Sequence, residues 1–155
     1  MKLYRIVKTK HLATAWSGTG AQLYGGRWNP PGKPVVYLAT SISLAILEIM
    51  VHLQNSVLLQ AYTLLSIEVP EEMLPVLDAS TLSADWKDPS PPDSTQSLGE
   101  EWLLDGESVG LRVPSVIVPS EFNAIMNPLH ADFAALLETI ETEAMVFDPR
   151  LTLTA

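Results

Sequence analysis

Glu48 is the only carboxylate in residues 1–67, and Leu44-Ala45-Ile46-Leu47 before it and Ile49-Met50-Val51 after it are all apolar. Burying a lone carboxylate is costly unless it is paired or put to use. Two readings follow. Either Glu48 is satisfied by His52 four residues on, or by a nearby Arg, or a rigid helix holds it at the floor of a pocket. The second notable stretch is Gly25-Gly26-Arg27-Trp28-Asn29-Pro30-Pro31-Gly32. Paired glycines permit positive φ or close approach of the backbone to a ligand. Arg27 offers a rigid fork of donors suited to phosphate, Trp28 a stacking face, and Asn29 both a donor and an acceptor. The plainer reading is a hairpin turn with an exposed Arg. A third stretch, Arg112-Val113-Pro114-Ser115, puts a hydroxyl at a strand end, either as a backbone cap or as part of a site. Asn123, Asn127 and His130 add polar groups further on, while Tyr4, Arg5 and Tyr37 lie on strands, where core and pocket roles are both open.

Several chemistries are excluded or lack support. The chain has no cysteine, which removes disulfides, thiolate catalysis and Cys-ligated zinc. His11, His52 and His130 lack metal-ligand spacing, so no metal is expected. A Gly-Lys-Ser/Thr ending, a Gly-x-Ser-x-Gly elbow and a Gly-x-Gly-x-x-Gly fingerprint are all missing. That argues against a Walker-type phosphate loop, a hydrolase elbow and hydride transfer.

Charge is divided along the chain. The net charge is −9, which argues against a nonspecific grip on nucleic acid. Residues 1–47 hold Lys2, Arg5, Lys8, Lys10, Arg27 and Lys33 with no acid, a local +6, and the remainder carries −15. One reading is a solvated basic face. The other is a positive site for a small anion in a protein that otherwise repels polyanions.

The elements that must position these groups read as one α+β domain. The 155 residues, 47% apolar and 17% charged, suit a single core. Alternation predicts a strand over Leu3–Val7, and further strands are expected over Pro34–Ala39, Leu58–Val69, Val113–Val118 (interrupted by Pro114) and Glu143–Phe147, with a short one over Met73–Leu77. Thr40 or Ser41 caps a helix running to about Gln54, apolar nearly all round and so expected to be buried on most sides. Further helices are expected over Lys8–Trp16, Leu98–Val109 and Leu129–Thr139. Loops are expected over Ser17–Lys33, Ala84–Ser97 and Pro119–Pro128. No apolar run approaches the ~20 residues that span a bilayer, and Met1 to Arg5 do not open a secretory signal, so a cytoplasmic protein is expected.

These segments together resemble the RES domain family, named for an Arg, a Glu and a Ser. The matching positions are Arg27 in Gly-Gly-Arg-Trp-Asn, Glu48 in Leu-Ala-Ile-Leu-Glu and Ser115 in Arg-Val-Pro-Ser. Tyr4-Arg5-Ile6, Val36-Tyr37-Leu38-Ala39 and Asn123-x-x-x-Asn127-Pro128-x-His130 extend the likeness over about residues 3–148. The resemblance implies a compact domain covering 1–155, with a mixed β-sheet core and flanking helices, similar to diphtheria-toxin-type ADP-ribosyltransferases. It implies a toxin that degrades NAD by hydrolysis or phosphorolysis, NAD being a substrate and no cofactor being needed; some relatives instead modify a protein. Arg27, Glu48 and Ser115 become the expected catalytic residues. Arg5, Tyr37, Trp28 and Asn123 become the expected substrate-binding residues. The implied partner is a cognate Xre-like antitoxin, with room for a homodimer inside the complex and no direct nucleic-acid or membrane contact.

Overall fold

In the computed structural model, residues 1–53 and 61–151 are described. Six strands form one sheet: β1 (Lys2–Lys8), β2 (Val36–Ala39), β3 (Tyr62–Glu68), β4 (Gly110–Pro114), β5 (Phe122–Met126) and β6 (Glu141–Met145). Their spatial order is β4-β5-β2-β1-β3-β6. The helices are α1 (Thr19–Tyr24), α2 (Ile42–Met50), α3 (Asp93–Asp105) and α4 (Phe133–Leu136). The α+β class stands. The mixed sheet is corrected, because every strand ladder is antiparallel. Among the described residues the parallel contact is an isolated bridge between Val76 and Arg112. Side-chain alternation assigns a strand's two faces but not its direction, which the connections decide.

Alternation along the strands divides the core. Leu3, Val36, Leu38, Ile67, Ala124 and Met126 point to one face and pack with Phe133 and Leu136 around α4. Ile6, Ala39, Tyr62 and Leu64 point to the other, against Leu44 and Ala45 of α2. That second face continues as Trp28, Val35, Leu111, Val113 and Ile125, bordered by Tyr37, Trp86 and Trp102. The candidate chemistry lies on this side.

Helix α2 starts where the sequence indicates. The Ser41 hydroxyl accepts the Leu44 N–H at 3.1 Å. It ends sooner than expected, at Met50, because the N–H groups of His52 and Leu53 turn to carbonyls three residues back and tighten the last turn. Gln54 lies outside the described residues. The helix is also less buried than its composition suggests. Leu44 and Ala45 are buried, whereas Ile42, Leu47 and Val51 are exposed. Glu48 follows the buried pair at spacings of four and three, which turns it toward the sheet.

Other expectations shift in detail. Residues 17–33 contain α1, and residues 119–128 contain β5. The Met73–Leu77 strand is replaced by a 3₁₀ turn over Glu71–Met73 and the Val76 bridge. The strand expected from Leu58 begins at Tyr62, and residues 58–60 lie outside the described set. Pro114 closes β4, so no strand continues to Val118. Among the described residues no helix is long and apolar enough to cross a membrane.

Helix α3 begins at Asp93, inside the expected loop, and lies directly on the 25–29 turn. Gln96 Nε2 donates to the Gly26 carbonyl at 3.0 Å. A Cβ on Gly99 would sit 1.5 Å from the Trp28 carbonyl oxygen, so only glycine fits there. Gly99→Ala gains up to about 1 kcal/mol of helix propensity. The backbone collision outweighs this, and overpacking typically costs about 1–3 kcal/mol. We expect a lower urea midpoint for Gly99→Ala. An unchanged midpoint would show that α3 does not rest on the turn.

Candidate functional site

Glu48 is held by two elements other than its own. Ser115, fully buried just past β4, donates its hydroxyl to Glu48 Oε1 at 2.8 Å. The same Ser115 oxygen accepts the N–H groups of Ile117 and Val118, each at 3.1 Å. A hydroxyl has one proton to give. With its lone pairs engaged by the backbone, that proton goes to Glu48. Ser115 is therefore both a backbone cap and a site residue. Asn123 Nδ2, on β5, donates to the same Oε1 at 2.6 Å. The register Val113–Asn123–Ala39 places β5 between the strand leading to Ser115 and the strand leading to α2. Glu48 Oε2 accepts no hydrogen bond from a described residue. His52 is exposed and forms no ion pair with Glu48.

Arg27 and Trp28 occupy the corners of a tight turn closed by the Gly26–Asn29 bridge. Successive corner side chains diverge. Arg27 stays half-exposed, while Trp28 turns into the core and is only 3% exposed. This corrects the expected stacking role: Trp28 packs against Val35, Leu111, Val113 and Ile125 and presents no face to a ligand. Arg27 Nη1 donates to the Trp86 carbonyl at 2.9 Å and Nη2 to the Asp88 carbonyl at 2.8 Å. Desolvation pulls its guanidinium below the ordinary value, and the negative charges of Glu48 and then Asp88 push it back. The charge of Glu48 thus reaches Arg27, with no ion pair at contact distance between them.

Tyr37 on β2 ties the turn to the sheet. Its hydroxyl donates to Asn29 Oδ1 at 2.6 Å and accepts the Trp28 N–H at 3.1 Å. Asn29 is fully buried, and its Nδ2 serves the carbonyls of Ala21, Pro30 and Lys33 at 2.9, 3.0 and 3.1 Å. Its polar groups knit the loop together and are not offered to a ligand.

Arg5 is not brought into this cluster. It shares pleat parity with Leu3 and Val7, opposite to Tyr4 and Ile6, where α2 packs. Its Nη1 donates to the Tyr37 carbonyl at 2.8 Å, and its Nε is buried without a partner. Burial pulls its guanidinium down from the ordinary value. Arg5 braces β2 where β1 and β2 share only the Tyr4–Ala39 register pair.

The 84–92 strap is the part of this site that sequence reasoning missed. It reaches Arg27 through main-chain carbonyls, which leave no mark in residue types. Asp85 Oδ1 pins the strap to the first turn of α3 by accepting the Ser94 hydroxyl at 2.6 Å. A cavity of about 560 Å³ lies elsewhere, between Thr9, Tyr62, Met145 and Phe147, and is not lined by Glu48 or Arg27. The polar cluster marks the candidate site. Among the described residues no group of three or more His, Asp or Glu could hold a metal ion.

The RES domain family model matches residues 2–148. The chain belongs to the RES domain family. A "Toxin Res" from Photorhabdus laumondii is 48% identical over 151 residues, covering 97% of each chain. A "Prs ADP-ribosylating toxin" from Sphingobium sp. is 38% identical, covering 87% of this chain and 85% of that one. The "NAD(+) phosphorylase MbcT" of Mycobacterium tuberculosis is 33% identical over 118 residues, covering 68% of this chain and 61% of that protein. The solved M. tuberculosis MbcT-MbcA toxin-antitoxin complex contains a chain of the same fold, with a TM-score of 0.67, at 20% identity over 93% of this chain and 83% of that one. Of the three residues that give this RES chain its likeness, Ser115 touches Glu48 and Arg27 is coupled to it by charge.

Burial is the main cause that pushes the Tyr37 phenol well above its ordinary value. An unfolded tyrosine ionises near pH 10, while the folded Tyr37 keeps its proton. Its contribution to stability is therefore complete below about pH 10 and declines as pH rises further. Tyr37→Phe leaves Asn29 Oδ1 and the Trp28 N–H without this partner, a loss of about 1–3 kcal/mol. We expect that destabilisation at neutral pH, and a shallower alkaline decline than in the unsubstituted protein. Urea unfolding at several pH values measures both, and identical alkaline slopes would contradict the burial of Tyr37.

Proposed function

We propose that this RES domain protein is the toxin of a toxin–antitoxin pair and that it consumes NAD by breaking the bond between nicotinamide and ribose. The observation that carries this reading is Glu48. One oxygen is fixed by two donors and the other is free, with the Arg27 charge close by. In NAD the ring nitrogen is cationic. As the C1′–N bond breaks, the bonding pair stays with nicotinamide, which leaves neutral, and positive charge develops on the ribose. A carboxylate aimed at that charge stabilises the transition state more than the bound substrate, and this difference accelerates the reaction. Water or phosphate then adds at C1′ and gives up a proton, yielding ADP-ribose or its 1-phosphate.

Arg27 is the donor fork for the pyrophosphate, since only two of its five N–H groups are engaged by strap carbonyls. Ser115 holds Glu48 and is not a nucleophile, because its proton and lone pairs are already engaged. Tyr37 sets the height of the turn that carries Arg27. The naming of MbcT as an NAD(+) phosphorylase supports phosphate as acceptor. The Prs ADP-ribosylating relative favours a second reading, transfer of ADP-ribose to a protein through the same site. The MbcT-MbcA complex supports an antitoxin partner for this chain, and the family resemblance favours an Xre-like one.

Purified protein incubated with NAD, with and without phosphate, tests the reading. We expect NAD loss and free nicotinamide. Glu48→Ala should lower kcat by about 10²–10³-fold, as removal of a transition-state electrostatic contact does. Arg27→Ala should act mainly through KM. Labelled NAD separates the acceptors, because a labelled protein band in lysate supports transfer and small-molecule products support degradation. A folded Glu48→Ala variant with full turnover would end the proposal.

A further inference from the structure

Asn123 makes a choice that the stability of the fold does not explain. A carboxylate can only accept, so the amide must turn its NH₂ toward Glu48 Oε1. That orientation drives Asn123 Oδ1 inward, where it is buried with no hydrogen-bond partner. Its cross-strand neighbours are Val113 and Ala39, both buried and apolar. A leucine would suit those surroundings and would leave no orphaned carbonyl. The amide is kept although its carbonyl is orphaned, and what it supplies in return is a second donor on Glu48.

The geometry shows what the amide does. The terminal torsion of a glutamate is broad and two-fold, so a single donor leaves the carboxylate free to pivot or to exchange its oxygens. Ser115 alone is one such donor. Asn123 adds a second, from a different strand, onto the same oxygen at 2.6 Å. Two donors from two directions fix the plane of the carboxylate and leave Oε2 as the presented atom.

We infer that Asn123 is a positioning residue that selects which oxygen of Glu48 faces the substrate. It acts through Glu48 and not on NAD. The inference rests on the NAD-cleaving reading above for its kinetic test, but not for its structural one.

Asn123→Leu is the primary variant. We expect it to fold, with the lost donor on Glu48 offset in part by removal of the orphaned carbonyl. We expect KM for NAD to stay within about twofold and kcat to fall roughly ten- to a hundredfold, as misplacement of a catalytic group does. Asn123→Ala removes the donor without adding a charge. It should lose at least as much kcat, and it keeps the test alive if the leucine variant does not fold. A crystal structure of either variant should show the Glu48 carboxylate rotated or in two orientations. A raised KM with unchanged kcat would make Asn123 a substrate contact and overturn the inference. So would full kcat, or a Glu48 carboxylate that has not moved. If the unsubstituted protein leaves NAD intact, the functional reading fails by itself, and the Glu48 orientation in the variant crystals decides the inference.

Discussion

Two donors meet on one oxygen of Glu48, and the arrangement of the sheet serves that meeting. Ser115 comes from the end of β4, Asn123 from β5, and Glu48 from the helix that follows β2. The three groups are separated by 67 and 75 positions in the chain. They converge only because β5 lies between β4 and β2. A carboxylate with one oxygen tethered and the other free has a direction, and a directed negative charge is what an oxocarbenium-like transition state calls for.

Arg27 is held by a different device. The 25–29 turn carries Arg27 outward and Trp28 inward, and Tyr37 and Asn29 knot its base through buried hydrogen bonds. Helix α3 presses on the turn at Gly99, where a side chain would strike the Trp28 carbonyl. The strap before α3 then grips the guanidinium through two carbonyls. A long, flexible arginine is thereby aimed by groups that carry no formal charge, which leaves its positive charge available to a ligand.

The basic N-terminal third turns out not to be a pooled anion site. Lys2 pairs with Glu141 at 2.9 Å, Arg5 is half-buried and bonded to the Tyr37 carbonyl, and Lys10 is exposed beyond β1. Arg27 is the cation of that group that feels the charge of Glu48. Segregation along a chain is not segregation in space, because strand pairing scatters neighbours in sequence to opposite edges of a sheet.

The order of residue types alone determined that a lone acid would ride an apolar helix capped at Thr40 or Ser41 and that the chain would open on an alternating strand, and the family resemblance tied Arg27, Glu48 and Ser115 together. Periodicity, capping and motif are local properties, readable wherever a few residues decide the outcome. Tertiary structure decided the rest. It buried Trp28 because β4, β5 and α3 close over that corner of the turn. It placed Arg5 on the wrong pleat to share the site, recruited the 84–92 strap through carbonyls that every residue possesses, and set Asn123 opposite Glu48 through strand order. Each of these depends on which distant backbone lies alongside, and hydrogen bonding between backbones is blind to the side chains that a sequence spells out.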